Sequence, residues 1–85
     1  MHKLDTNNKC KKIFAKLSKK NPKQMWIIRN KIFEILQNPE HYKPLKGDMK
    51  GLRRVHIDDH FVLTYEIEGD IVRVLDYDHH DYIYK

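Results

Sequence analysis

Three observations predict an α+β fold of order β-α-α-β-β-β, a helical hairpin packed on a small antiparallel sheet. Apolar residues recur at helical spacing from Cys10 to Leu36 and are interrupted by Asn21-Pro22. Beyond Gly51 the apolar positions alternate instead, around two turn signals, Asp58-Asp59-His60 and Glu68-Gly69-Asp70. Between the two regions lies PEHYKPLKGDMKG, with two prolines and two glycines in thirteen residues, which reads as a loop joining the layers.

Each element has a cause in local chemistry. Residues 2–6, HKLDT, form a short first strand with Leu4 facing inward and Thr6 or Asn7 capping the first helix. Over residues 8–19, Cys10, Ile13, Phe14 and Leu17 make one helical stripe, and Lys9, Lys11, Lys12, Lys16 and Lys19 occupy the other sides. Asn21-Pro22 supplies a cap and a first-turn proline. Met25, Ile28, Ile32, Ile35 and Leu36 then mark a second helix that stops before Asn38-Pro39, and the short KKNP link folds the two helices antiparallel. Trp26 falls off this stripe, at an edge of the core or at a partner contact. Val55 and Ile57, then Phe61, Leu63 and Tyr65, then IVRVLDY supply three antiparallel strands.

The bulk properties bound the function. Eighty-five residues make a single domain, 1–85, with a small core. No apolar run approaches the roughly 18 residues of a membrane span, and MHKLDTNNKCKK lacks a signal-like stretch, so a cytoplasmic chain with no membrane partner is expected. The lone Cys10 excludes an internal disulfide and Cys-rich zinc sites. Charge divides unevenly: residues 1–47 carry 12 Lys and Arg against 3 acids, and residues 48–85 carry 5 against 9, giving +9 and −4. The first half therefore suits a polyanionic partner, or is a lysine-rich solvated face.

Period-two geometry places Arg54 and His56 on one side of their strand, opposite Val55 and Ile57. The carboxyl end adds His79, His80, Tyr82 and Tyr84. Imidazoles exchange protons near neutrality, and two of them beside an arginine suit phosphodiester chemistry. RNA carries its own nucleophile, the 2′-hydroxyl, so cleavage needs a base, an acid and a cation for the charged phosphorane. His56, His80 and Arg54 supply those three types. A polar, partly exposed sheet surface is the other reading of the same residues. A metal site from His56, His79 and His80 with Asp78 or Asp81 is a further alternative, but adjacent histidines rarely both ligate one ion, so neither metal nor cofactor is expected.

The stretch PLKGDMKGLRRVHIDDHFVLTYEI, followed by a hairpin and HHDYIY, resembles the RelE/ParE superfamily of toxins, most closely its RelE/StbE and YafQ-like branch. In that branch a PL-x-G-x-x-K-G loop leads into a strand ending in His-Ile or His-Val, then an acidic turn and an aliphatic strand ending in Tyr. The resemblance spans nearly the whole chain. It implies a ribosome-dependent mRNA endoribonuclease, acting on mRNA in the ribosome and silenced by a cognate antitoxin of RelB/DinJ type. His56 stands at the branch's strand histidine, His80 at its C-terminal histidine, and Tyr84 at the aromatic that stacks on or orients the scissile nucleotide. Arg54 matches a basic position of RelE proper, Lys43 one that is histidine in some members, and His60 one that is often aspartate. Val62 replaces an arginine of many RelE-type toxins, which favours histidine-based catalysis. Lys43, Lys50, Arg53, His60 and His79 around the site, with Lys9, Lys12 and Lys16 on the first helix, are the expected RNA contacts. A ParE-like toxin that binds DNA gyrase and an inactive, antitoxin-binding relative are the competing functions.

Overall fold

The structure is a computed structural model that describes residues 1–47 and 51–79. Its elements are β1 (Lys3–Thr6), α1 (Asn8–Lys20), α2 (Pro22–Gln37), a 3-10 turn (Pro39–His41), β2 (Leu52–Ile57), β3 (Phe61–Glu68) and β4 (Ile71–His79). Asn7 is the residue that caps α1, its Oδ1 accepting the Cys10 N–H at 2.9 Å. Lys19 and Lys20 occupy the last turn of α1, where cations complement the helix dipole. Asn21 closes one helix and opens the next: its N–H donates to the Leu17 carbonyl at 2.8 Å, and its Oδ1 accepts from the Gln24 N–H at 3.2 Å. With Pro22 in the first turn of α2, the hairpin turns without a spacer.

The strands form one sheet in the order β1-β4-β3-β2. β2, β3 and β4 are antiparallel neighbours, as alternation predicts, but β1 runs parallel to β4, with Lys3 opposite Ile71 and Thr6 opposite Val74. The sheet is therefore mixed rather than wholly antiparallel. The helical hairpin carries the chain from β1 at one edge to β2 at the other, and a long connection of this kind permits parallel pairing. Leu4 lies in register with buried Val72 yet remains 46% exposed, because a four-residue edge strand has a neighbour on one side only.

The helices cover one face of the sheet. Cys10, Ile28, Ile35, Ile57, Leu63, Tyr65, Val72 and Val74 are the most deeply buried of this core, each aliphatic side chain among them contributing roughly 1.5–3 kcal/mol when fully buried. The Tyr65 hydroxyl donates to the Pro39 carbonyl at 2.6 Å and so pins the turn after α2 to the sheet. Burial pushes that phenol up to about 12.

One irregularity sets which side chains face which way. Tyr65 pairs with Val74 and Thr64 with Asp76, so Leu75 is an extra residue in β4, a β-bulge. Before it Val72 and Val74 face the helices; after it Tyr77 and His79 are the residues in register with Leu63 and Phe61 on that side. Asp76 and Asp78 consequently share the opposite face with Thr64 and Val62. Asn7 holds the bulge, its Nδ2 donating to the Leu75 carbonyl at 2.7 Å. Among the described residues no helix is long and apolar enough to cross a membrane.

Candidate functional site

The face turned away from the helices is organised in rows by strand register. His56, Val62 and Asp78 form one row across β2, β3 and β4; Arg54, Thr64 and Asp76 form the next. Arg54 and His56 are two residues apart on one strand face, about 7 Å along the strand, while each row spans two strand spacings, about 10 Å. A single phosphodiester group is small enough to meet both the guanidinium and the imidazole. Val62 is 0% exposed and Thr64 4%, so the floor between the polar side chains is closed to water. His56 is exposed and Arg54 half-buried.

The second row continues beyond the sheet. β1 stops opposite Val74, and the start of α1 borders the rest of β4. Asn7 N–H donates to the Val74 carbonyl at 3.2 Å, Asn7 Nδ2 to the Leu75 carbonyl, and Lys9 Nζ to Asp76 Oδ1 at 2.8 Å. The Asp76 hydrogen bond, more than any other influence, holds the Lys9 amine above its ordinary value. Lys9, Lys12 and Lys16 succeed one another at helical spacing and are exposed, so a cationic stripe begins at the end of the Arg54 row and continues along α1.

Other expected site residues are placed differently. Arg53 points to the helix side: its Nη1 donates to the carbonyl of Tyr42 and, at 3.5 Å, to that of Glu40. Its cation thus secures the segment leading from α2 to β2, which also pairs through Pro44 opposite Arg53 and a Leu45 N–H to Leu52 carbonyl bond of 2.8 Å. Lys43 is exposed in that segment. His79 is in register with Phe61, on the opposite face from His56, and its ring lies 5.4 Å from Phe61 and 6.0 Å from the parallel ring of His60. His60 is exposed in the β2–β3 turn, where Asp58 takes φ 55° and its Oδ1 accepts the Asp59 N–H. Lys50, His80 and Tyr84 lie outside the described residues, as do Asp81 and Tyr82. Among the described residues no three His, Cys, Asp or Glu side chains converge as a metal site.

Sequence reasoning passed over Thr64 and Asp76, and weighed Asp78 only as a metal ligand. The available signal was a break of parity: Val72 and Val74 are separated by two residues, but Val74 and Tyr77 by three, which strict alternation forbids.

Residues 5–84 match the family model described as the ParE toxin of the type II toxin-antitoxin system parDE. A Methanocaldococcus jannaschii protein described as "Putative toxin RelE4" is 41% identical over 87 aligned positions, covering 100% of this chain and 93% of the relative. Among solved structures, YafQ from Escherichia coli superposes with a TM-score of 0.73 at 21% identity, over 100% of both chains. The YoeB–YefM complex from Staphylococcus aureus matches with a TM-score of 0.80 at 14% identity, over 94% of this chain and 98% of the other.

Proposed function

We propose a function from the premise that this chain belongs to the ParE toxin family of type II toxin-antitoxin systems, within the RelE/ParE superfamily: it is a ribosome-dependent mRNA endoribonuclease held inactive by a cognate antitoxin. The observation that carries the reading is the pairing of Arg54 with His56 on the sheet face opposite the helices. The basic stripe that starts at Lys9 supports it, since a ribosome-bound substrate demands phosphate contacts beyond the cleaved bond.

The chemistry needs no protein nucleophile. A base removes the 2′-hydroxyl proton, O2′ attacks phosphorus, the bond from phosphorus to O5′ breaks, and an acid protonates the departing O5′. The products are a 2′,3′-cyclic phosphate and a 5′-hydroxyl end. His56 supplies one of the two proton-transfer groups, and the resemblance to YafQ-like sequences assigns the other to His80. Arg54 balances the charge that builds on the phosphorane oxygens, with its guanidinium set in a half-buried position. Tyr84 stacks on or orients the scissile nucleotide. Lys12, Lys16, Lys43, Lys50, His60 and His79 are the remaining RNA contacts of this proposal, while Arg53 contributes through the loop it secures.

The test is to map the 5′ ends of mRNA in cells expressing the chain alone. Codon-dependent cuts with 5′-hydroxyl ends are expected, and these disappear in His56→Ala and in His80→Ala. Full growth arrest in both variants removes the proposal. The match to a ParE model favours a second reading, gyrase inhibition without RNA cleavage. Loss of gyrase supercoiling in the presence of the purified chain, with mRNA intact, selects it. Absence of any growth inhibition selects the inactive relative.

A further inference from the structure

By adding one residue to β4, the bulge at Leu75 turns Asp76 outward, into the row it shares with Thr64 and Arg54. Bulges beside working sites re-aim side chains in this way. β1 has already ended opposite Val74, so the group beyond Asp76 is the first turn of α1, from which Lys9 Nζ donates to Asp76 Oδ1 at 2.8 Å. Among the described residues no other lysine of α1 is in an ion pair. Lys12 and Lys16 are exposed along the helix, whereas the Lys9 ammonium is held at the end of the Arg54 row. The pair adds little to the fold: its side chains are 60% and 34% exposed, the range in which ion pairs contribute least to stability, and Asn7 already ties α1 to the Val74 and Leu75 carbonyls of β4. Nor does it add net charge, because the carboxylate cancels the cation. What it supplies is position.

We infer that Asp76 is a positioning residue, which aims the Lys9 ammonium at the RNA phosphate next to the cleaved one and so sets the scissile bond over Arg54 and His56. This rests on the RNA-cleaving reading above and adds the direction in which the strand crosses the site. The carboxylate is itself fixed, since Asp76 Oδ1 also accepts the Tyr77 N–H at 2.9 Å. An ammonium has three donors, so one is given to Asp76 and two are left for phosphate oxygens. Between Arg54 and Asp76 stands only Thr64, a small side chain 4% exposed, and the row spans two strand spacings, about 10 Å, room for two successive phosphates. The next row repels a polyanion, because there Asp5, Glu66 and Glu68 surround the single cation of Arg73. The strand therefore runs across the sheet, from Arg54 toward α1. A cation fixed in advance acts on the rate more than on the affinity, because it orients the reacting groups without adding charge.

The experiment measures kcat and KM of the full-length chain on ribosomes programmed with a short mRNA, well below the Tm of every variant. Asp76→Asn is expected to lower kcat by about tenfold to a hundredfold, the cost of a misplaced substrate, with KM unchanged or lower because a carboxylate has left the face. Lys9→Met lowers kcat by a similar factor but raises KM, since Asp76 is then an unpaired acid in the path of the RNA. Lys9→Arg, which keeps a cation within reach of Asp76, recovers part of the loss. The double variant Lys9→Met/Asp76→Asn is no slower than Lys9→Met, as it must be if the carboxylate acts only through the ammonium. A kcat within twofold of wild type in Asp76→Asn overturns the inference, and so do losses that multiply in the double variant. A wild-type chain that leaves the mRNA uncut removes the nuclease reading itself, and this inference with it; cutting by the wild type with undiminished kcat in Asp76→Asn removes this inference alone.

Discussion

Tyr77→Phe should make the protein more stable. The Tyr77 ring is 4% exposed and is held between two others: Phe61 stacks on it at 5.5 Å with planes 5° apart, and Phe14 meets it edge-on at 5.7 Å. Its hydroxyl is buried with no hydrogen-bond partner among the described residues, and that burial pushes the phenol well above its ordinary value. An unpaired buried hydroxyl has lost its water without compensation, a cost of about 1–3 kcal/mol. Phenylalanine keeps both ring contacts and removes the stranded group. The expected gain is about 1 kcal/mol, which for a domain of this size raises Tm by roughly 4–8 °C. Urea titration followed by circular dichroism measures it as a higher midpoint at unchanged slope. A midpoint lowered by the same amount would mean that the hydroxyl is paired, and the reasoning would fail.

Three further outcomes rest on the same geometry. Asn7→Ala removes both the α1 cap and the hold on the Leu75 carbonyl, and should cost about 2 kcal/mol in the same titration; Asn7→Ser, which retains capping ability, should lose about half as much. Raising the pH should destabilise the chain from about pH 10 upward. Tyr65 and Tyr77 keep their protons to higher pH when folded than when unfolded, so the folded state binds more protons there, and its stability, full below their ordinary value of 10, drains as the pH climbs toward about 12. Tyrosinate absorbance rising ahead of unfolding would contradict this. Lys12→Gln/Lys16→Gln should flatten the slope of log affinity against log salt for single-stranded RNA by about 1.4 without moving Tm, and an unchanged slope would place the RNA elsewhere.

The helices were readable from sequence because their information is local. Asn21-Pro22 states both an end and a beginning, and the Ile28, Ile32, Ile35 stripe needs no knowledge of its partner. The placement of Arg54 and His56 on one face was equally local, a consequence of two-residue spacing. The features that escaped depend on pairing across the sheet. The direction of β1 is fixed by contacts with β4, some 68 residues later, and the alternation of HKLDT is the same whichever way its neighbour runs. Leu4 looked buried because its apolar character was visible and the absence of a second neighbour was not. Arg53 resembled a substrate contact until the loop carbonyls it holds were folded beside it.

Ion pairing across the outer sheet face also joins elements that the chain order separates. Arg73 in β4 meets Asp5 of β1 at 2.9 Å, Glu66 of β3 at 3.0 Å and Glu68 at 3.3 Å. The three carboxylates together raise the affinity of that guanidinium for its proton. Asp5→Asn therefore separates the tether of the edge strand from the rest of the network.

The supernumerary Leu75 gives the last strand a reading frame. Were β4 to run on from Val74 in strict alternation with Leu75 kept in the ladder, everything downstream would rotate by half a turn, turning Tyr77 out into water and Asp76 and Asp78 in among the aromatics, although no single side chain had changed its chemistry. A chain without Leu75 would keep Tyr77 turned to the helices and Asp76 opposite Thr64, and would give up instead the bulge and the carbonyl that Asn7 holds.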